Sequence, residues 1–144
     1  MSKKRSAGIL LPITSLPSEY GIGDFGPEAV KFGKFLHDAG QKIWQVLPMT
    51  ATDPGCGNSP YSPTSAFAGS RLLISPDSLI EDGLLTHDEL KKTAAKYDFT
   101  KNPERVDYES ATEFKTEILN AAYKHCMKGN ASEFRTFVAG TEWL

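Results

Sequence analysis

The chain has 144 residues, 40% hydrophobic and 24% charged, the length and make-up of about one globular domain. Its 16 Lys and Arg against 18 Asp and Glu give a net charge of −2 and a pI near 5.9, without the basic excess of a nucleic-acid binder. Lys3-Lys4-Arg5 is too short a cluster to form a binding face, and no apolar run approaches the ~20 residues of a membrane span. The expectation is a soluble, cytoplasmic protein that uses neither nucleic acid nor membrane. Met1 to Leu11 imitates the start of a signal peptide, but Pro12 interrupts the apolar run and no small-x-small site follows. Cys56 and Cys126, with His37, His87 and His125, match no ligand spacing, so free thiols and no metal are expected.

Ala7-Gly8-Ile9-Leu10-Leu11 is a short apolar run stopped by Pro12, which predicts a strand buried on both faces. Gly26-Pro27-Glu28 then opens a helix: Pro is tolerated at its first position and Glu28 suits the dipole. Phe32, Phe35, Leu36 and Ala39 fall on one face, and Gly40 sits where a left-handed cap belongs. Ile43-Trp44-Gln45-Val46-Leu47 reads as a second buried strand, ended by Pro48. Strand, helix and strand make a βαβ unit, so the two strands should be parallel. Residues 48 to 71 are rich in Pro, Gly, Ser and Thr with no helical period, as in an ordered, functional loop. Arg71-Leu72-Leu73-Ile74 reads as a short extended segment.

The rest is helical. Ser75-Pro76-Asp77 opens a short helix with Leu79 and Ile80, and Thr86 with Glu89 spells a capping box followed by Leu90, Ala94 and Tyr97. A polar link from Thr100 to Asp107 leads to a long helix with Phe114, Ile118, Ala122 and His125 or Cys126 on one face, ended by Gly129. Asn130 and Glu133 cap a last helix whose buried face is Phe134, Phe137 and Val138. Two or three parallel strands do not close a sheet, and the chain stops on Trp143-Leu144. These residues are therefore expected to begin a larger α/β protein.

Gly21-Ile22-Gly23-Asp24-Phe25-Gly26 spells G-x-G-x-x-G ahead of a helix. It stands ten residues beyond Leu11, and no carboxylate ends the second strand, so these glycines are read as shaping a turn. Parallel strands send the loop carrying Thr14 to Asp24 and the loop carrying Asn58-Ser59-Pro60-Tyr61 to the same edge. In β/α barrels that edge holds the active site. Exposed tyrosines beside Ser, Thr, Asn and Asp suit a sugar, whereas tyrosines packed under the loops would be structural; composition leaves both open.

Several blocks occur together: Gly8-Ile9-Leu10-Leu11, Thr14-Ser15-Leu16-Pro17, Tyr20-Gly21-Ile22-Gly23-Asp24-Phe25-Gly26, Trp44-Gln45-Val46-Leu47-Pro48, Asn58-Ser59-Pro60-Tyr61 and Ser65-Ala66-Phe67-Ala68-Gly69. In this order they resemble the amino-terminal part of the 4-α-glucanotransferases, also called amylomaltases or disproportionating enzymes, glycoside hydrolase family 77. The resemblance is specific over residues 5 to about 85 and one of character beyond.

It implies an α/β fold: residues 1–85 as the first βα units of a TIM (β/α)8 barrel with substrate-groove loops, and 86–144 as a truncated helical insertion. It implies transfer of α-1,4-glucan segments between maltooligosaccharides with retention, without a cofactor, and with the remainder of the barrel as partner. Retention needs two close carboxylates. The family's acids lie downstream of Leu144, and Asp24, Asp53, Asp77, Glu81 and Asp82 are not read as substitutes but as solvated, turn or capping residues. Ser59 and Tyr61 inherit a sugar-binding role and Pro48 a place on the groove wall. Asn58 stands where the family usually has Asp, Ser62 where it has Gln, and Cys56 where many members have a tyrosine of a secondary glucan site. A free-standing glucan-binding module and an inactive remnant are the alternatives.

Overall fold

The structure, a computed structural model, describes residues 5–101, 104–129 and 131–141. Strand β1 (Gly8–Leu10) leads through a long loop to helix α1 (Pro27–Asp38), and strand β2 (Ile43–Gln45) follows. The strands pair in parallel, Gly8 opposite Ile43 and Leu10 opposite Gln45, so the expected βαβ unit is present.

Helix α1 forms for the local reasons its sequence announces. Pro27 occupies the first turn, where no N–H partner is lost, and Glu28 faces the positive end. At the far end Gly40 adopts φ +73°, and the N–H groups of Gly40 and Gln41 reach back to the carbonyls of His37 and Leu36, a Schellman motif. The helix lays Phe32 edge-on against Trp44, ring centroids 4.9 Å apart, and Trp44 donates its indole N–H to Leu11 O.

The strands are not buried on both faces as their composition suggested. Leu10 is 55% and Ile43 52% exposed, because α1 covers one side of a two-stranded sheet and no described residue covers the remaining faces and edges. Val30 and Phe35 of α1 are exposed as well. Phe35 keeps to the face assigned to it, stacked on Phe32 at 6.1 Å, but is left exposed there.

The long loop after β1 links three apolar cores. Its Ile13 and Leu16 pack with Ala29 and Leu73 under the βαβ unit, and Ile22 packs with Leu72 and Ala111. Tyr20 stacks on Phe114 at 5.4 Å, at the edge of a third core built from Leu79, Leu85, Leu90, Phe114, Ile118 and Ala122. The G-x-G-x-x-G glycines make this close packing possible. A Cβ on Gly21 would meet the Phe99 ring at 2.4 Å, one on Gly23 the Ile13 carbonyl at 2.1 Å, and one on Gly26 the Ser75 hydroxyl at 2.4 Å. They bring chain segments together.

Residues Arg71–Leu73 form a single 3₁₀ turn rather than an extended segment, with Leu73 N–H on Ser70 O and Ile74 N–H on Arg71 O. Leu72 and Leu73 are thereby aimed into two different cores. Helix α2 (Pro76–Glu81) is capped by the Ser75 hydroxyl, and α3 (His87–Ala94) opens with the expected capping box: Glu89 N–H donates to Thr86 Oγ1 and Thr86 N–H to Glu89. Helix α4 (Tyr108–Gly129) buries Ala111, Phe114, Ile118 and Ala122, as its period requires. Helix α5 (Ala131–Ala139) buries no residue: Phe134 meets Tyr123 at 5.5 Å, but Phe137 and Val138 are exposed. The cap assigned to Asn130 lies outside the described residues.

Candidate functional site

Because β1 and β2 run parallel, their following loops leave the sheet at one edge. The second loop is ordered by its own backbone. Thr50 pairs with Gly69 and Thr52 with Pro63 in antiparallel bridges, and Ser70 N–H donates to Met49 O at 2.8 Å. At its tip Asp53 accepts the Gly55 N–H, and Pro54–Cys56 make one 3₁₀ turn ended by Gly57 at φ +65°. Asn58 follows at φ +55°, a left-handed conformation that Asn tolerates better than most side chains, and its Oδ1 accepts from Thr52 Oγ1 at 3.2 Å. The carboxamide thus holds the tip to the ribbon.

A cavity of about 240 Å³ lies where the two loops meet. Its wall includes Thr14 and Ser15 from the first loop, Pro48, Thr50 and Asn58 from the second, and Tyr108 from the start of α4. Thr50 Oγ1 is shut from solvent and has no hydrogen-bond partner among the described residues. Such a hydroxyl is the group a bound water or ligand oxygen would satisfy. No carboxylate is among the described residues on this wall.

Of the residues nominated from the sequence, Pro48 lines the cavity; Ser59 and Tyr61 flank Pro60, which does line it. The Ser59 hydroxyl accepts the Tyr61 N–H at 3.3 Å, and the Tyr61 ring is 72% exposed. The two tyrosines left open by composition therefore separate: Tyr20 is packed under its loop, where burial pushes its hydroxyl up to about 12, while Tyr61 stands free of the core. Cys56 is exposed at the tip of the second loop and Cys126 half-buried on α4, both as thiols. Among the described residues no group of His, Cys, Asp and Glu could hold a metal ion, and no helix is long and apolar enough to cross a membrane.

Asp24 fills the turn or capping role read for it and adds a pairing that its sequence context did not signal. It is buried, caps Gly26 N–H through Oδ1 and binds the ammonium of Lys115 through Oδ2. It is not one of the solvated acids. Tyr108 is a site residue the sequence reading passed over: it stands directly after a polar link, and nothing local marks it.

The 4-alpha-glucanotransferase family, glycoside hydrolase family 77, matches residues 11–144. The chain belongs to that family. It is similar to the 4-alpha-glucanotransferase of Aquifex aeolicus, 46% identical over 84% of this chain and 23% of that one. The 4-alpha-glucanotransferase of a Synechocystis strain is 48% identical over 85% of this chain and 23% of its own. Among solved structures, the amylomaltase from Streptococcus agalactiae in complex with acarbose superposes with a TM-score of 0.83, at 38% identity, over 97% of this chain and 28% of that protein. The chain thus spans about a quarter of the length of these relatives. In this chain, the blocks that carry the family likeness supply the two loops that meet at the cavity.

Proposed function

We propose that this chain forms the first βα units of a TIM barrel and part of the substrate groove of a 4-α-glucanotransferase, which moves α-1,4-glucan segments between maltooligosaccharides with retention. The observation that carries this reading is the close superposition on an amylomaltase at 38% identity. The acarbose in that structure supports a glucan as the ligand here.

Pro48, Ser59 and Tyr61 contact the sugar, the proline as wall and the exposed tyrosine ring as a platform for the C–H face of a glucose unit. Residues 1–85 carry these contacts, and 86–144 act as a helical insertion that braces them. The chemistry itself needs two carboxylates ~5–5.5 Å apart for retention. This chain spans about a quarter of its relatives, and the acids are assigned to the part of such a barrel that it does not span. The remaining strands of such a barrel would cover Leu10 and Ile43, which are now exposed. Transfer between sugars needs no redox group, so no cofactor is invoked, and the cytoplasm is the assigned compartment.

Isothermal titration of the 144-residue chain with maltotriose tests the binding half of this proposal. Saturable binding that Tyr61→Ala weakens is expected. Absence of binding by a folded chain would contradict a glucan groove here.

A further inference from the structure

We infer that Tyr108, the first residue of α4, is an additional glucan-contacting residue, its ring forming the aromatic wall of the cavity at the strand ends. The inference rests on the glucan function proposed above and concerns a residue that neither the motif likeness nor the loop composition singles out.

Four observations carry it. Tyr108 is the one aromatic side chain among the described residues lining the cavity, whereas Tyr61 lies outside that lining. Residues with sugar-compatible side chains, Thr14, Ser15, Thr50 and Asn58, line the same cavity. Sugars are bound in this way, with an apolar C–H face on a ring and hydroxyls on small polar groups. The ring is also fixed in advance. Tyr108 is half-buried and packs with the core of Ile22, Leu72 and Ala111, and Asp107 caps α4 by accepting from the N–H groups of Glu109 and Ser110. Two turns along, Lys115 is fastened to Asp24 and to Ile74 O. A platform held this way loses little entropy when a ligand arrives.

The fourth observation is size. At about 240 Å³ the cavity is smaller than the ~300–1,000 Å³ of drug-sized sites, so it admits a single sugar ring rather than a run of them. Tyr108 also borders the wider groove lined by Thr14, Ser15 and Val106, so this residue is common to the two spaces. It is placed to contact the glucose unit where a glucan passes from one to the other.

The test is titration of the 144-residue chain with maltotriose for wild type, Tyr108→Phe, Tyr108→Leu and Tyr61→Ala, each with a thermal melt, together with NMR of labelled tyrosine rings. Tyr108→Phe should bind like wild type, and Tyr108→Leu, which keeps the apolar packing, should bind about 3- to 10-fold more weakly, the size of one lost ring contact. The Tyr108 ring signals of the wild type should shift on addition of maltotriose, a change that a purely structural role would not produce. Tyr108→Leu that melts and binds like wild type, while Tyr61→Ala binds weakly, would overturn this inference and leave the glucan groove standing. If Tyr108→Leu fails to fold, unshifted Tyr108 signals at saturating maltotriose would overturn it instead. A folded wild type that binds no maltotriose removes both.

Discussion

The ammonium of Lys115, with no exposed surface, lies 2.7 Å from Asp24 Oδ2 across a sequence separation of 91 residues. It also donates to Ile74 O at 2.6 Å, while Asp24 Oδ1 accepts the Gly26 N–H. Three segments meet at this point: the loop after β1, the turn before α2 and the long helix α4. Burial pulls the Lys115 ammonium below its ordinary range, and the Asp24 carboxylate opposes that pull. A buried pair of this kind adds little net stability against an apolar pair but is costly to break singly. Its contribution here is register: it fixes where α4 starts, and so where Tyr108 stands.

Changing both partners should therefore cost less than the two single changes added together. Lys115→Met should cost about 3–5 kcal/mol, because it strands a buried carboxylate. Asp24→Asn with Lys115→Met should lose less than the sum of the single changes, since the carboxamide keeps the bond to Gly26. Urea unfolding of the four proteins measures this coupling; strictly additive losses would show that the two side chains do not act as a pair.

Two glycines should respond to alanine in opposite directions. A Cβ on Gly23 would sit 2.1 Å from Ile13 O and 2.8 Å from Leu16 N, backbone atoms that cannot swing aside. Gly23→Ala should destabilise by about 1–3 kcal/mol or more. Gly33 lies inside α1 with nothing within 4 Å of its would-be Cβ, so Gly33→Ala should stabilise by about 0.5–1 kcal/mol. Thermal melts of both variants give the comparison, and equal effects would contradict the packing described around the first loop.

Acid should expose the contribution of Glu89. His125 Nε2 lies 3.0 Å from its carboxylate, and the Thr86 side chain and N–H also bind it; together, His125 first, they hold its pKa down to about 2. A carboxyl depressed from 4.5 in this way stabilises the fold fully above about pH 4.5 and loses that contribution as pH falls toward 2. The gap in melting temperature between wild type and Glu89→Gln should be widest above pH 5 and close as pH is lowered through that window. A gap that stays constant from pH 6 to 2.5 would contradict the ionised Glu89 carboxylate, held by His125 and Thr86, as its source.

The uncovered sheet should show itself in solution. Leu10, Ile43, Val30 and Phe35 present apolar surface beside unpaired strand edges, the arrangement that favours association. Leu10→Lys with Ile43→Lys should reduce concentration-dependent association in sedimentation experiments while lowering the melting temperature little. Unchanged association would place the contact elsewhere.

Local chemistry made much of this fold legible. Pro27, Gly40, Ser75 and the Thr86/Glu89 box act within one helical turn, so α1, α2 and α3 could be placed from neighbours in the chain. The parallel pairing followed from the strand–helix–strand order. Short apolar runs were the weak point: Arg71–Ile74 has the same composition as a strand, and only its neighbours in space turn Leu72 and Leu73 into different cores. Phe137 and Val138 have a buried pattern with nothing described above them.

At the site, the Asn58-Ser59-Pro60-Tyr61 block and Pro48 could be picked out by likeness, and the loops' shared edge by strand direction. Tyr108 and the Asp24–Lys115 pair could not, since each depends on contacts between distant segments that no local pattern encodes.

The most direct measurement is a transfer assay on the native product that contains residues 1–144, captured from its source extract with an antibody against this chain and incubated with maltotriose. The account predicts redistribution into glucose and longer maltooligosaccharides. Maltotriose left unchanged, or cut to glucose and maltose with no longer products, would contradict a 4-α-glucanotransferase.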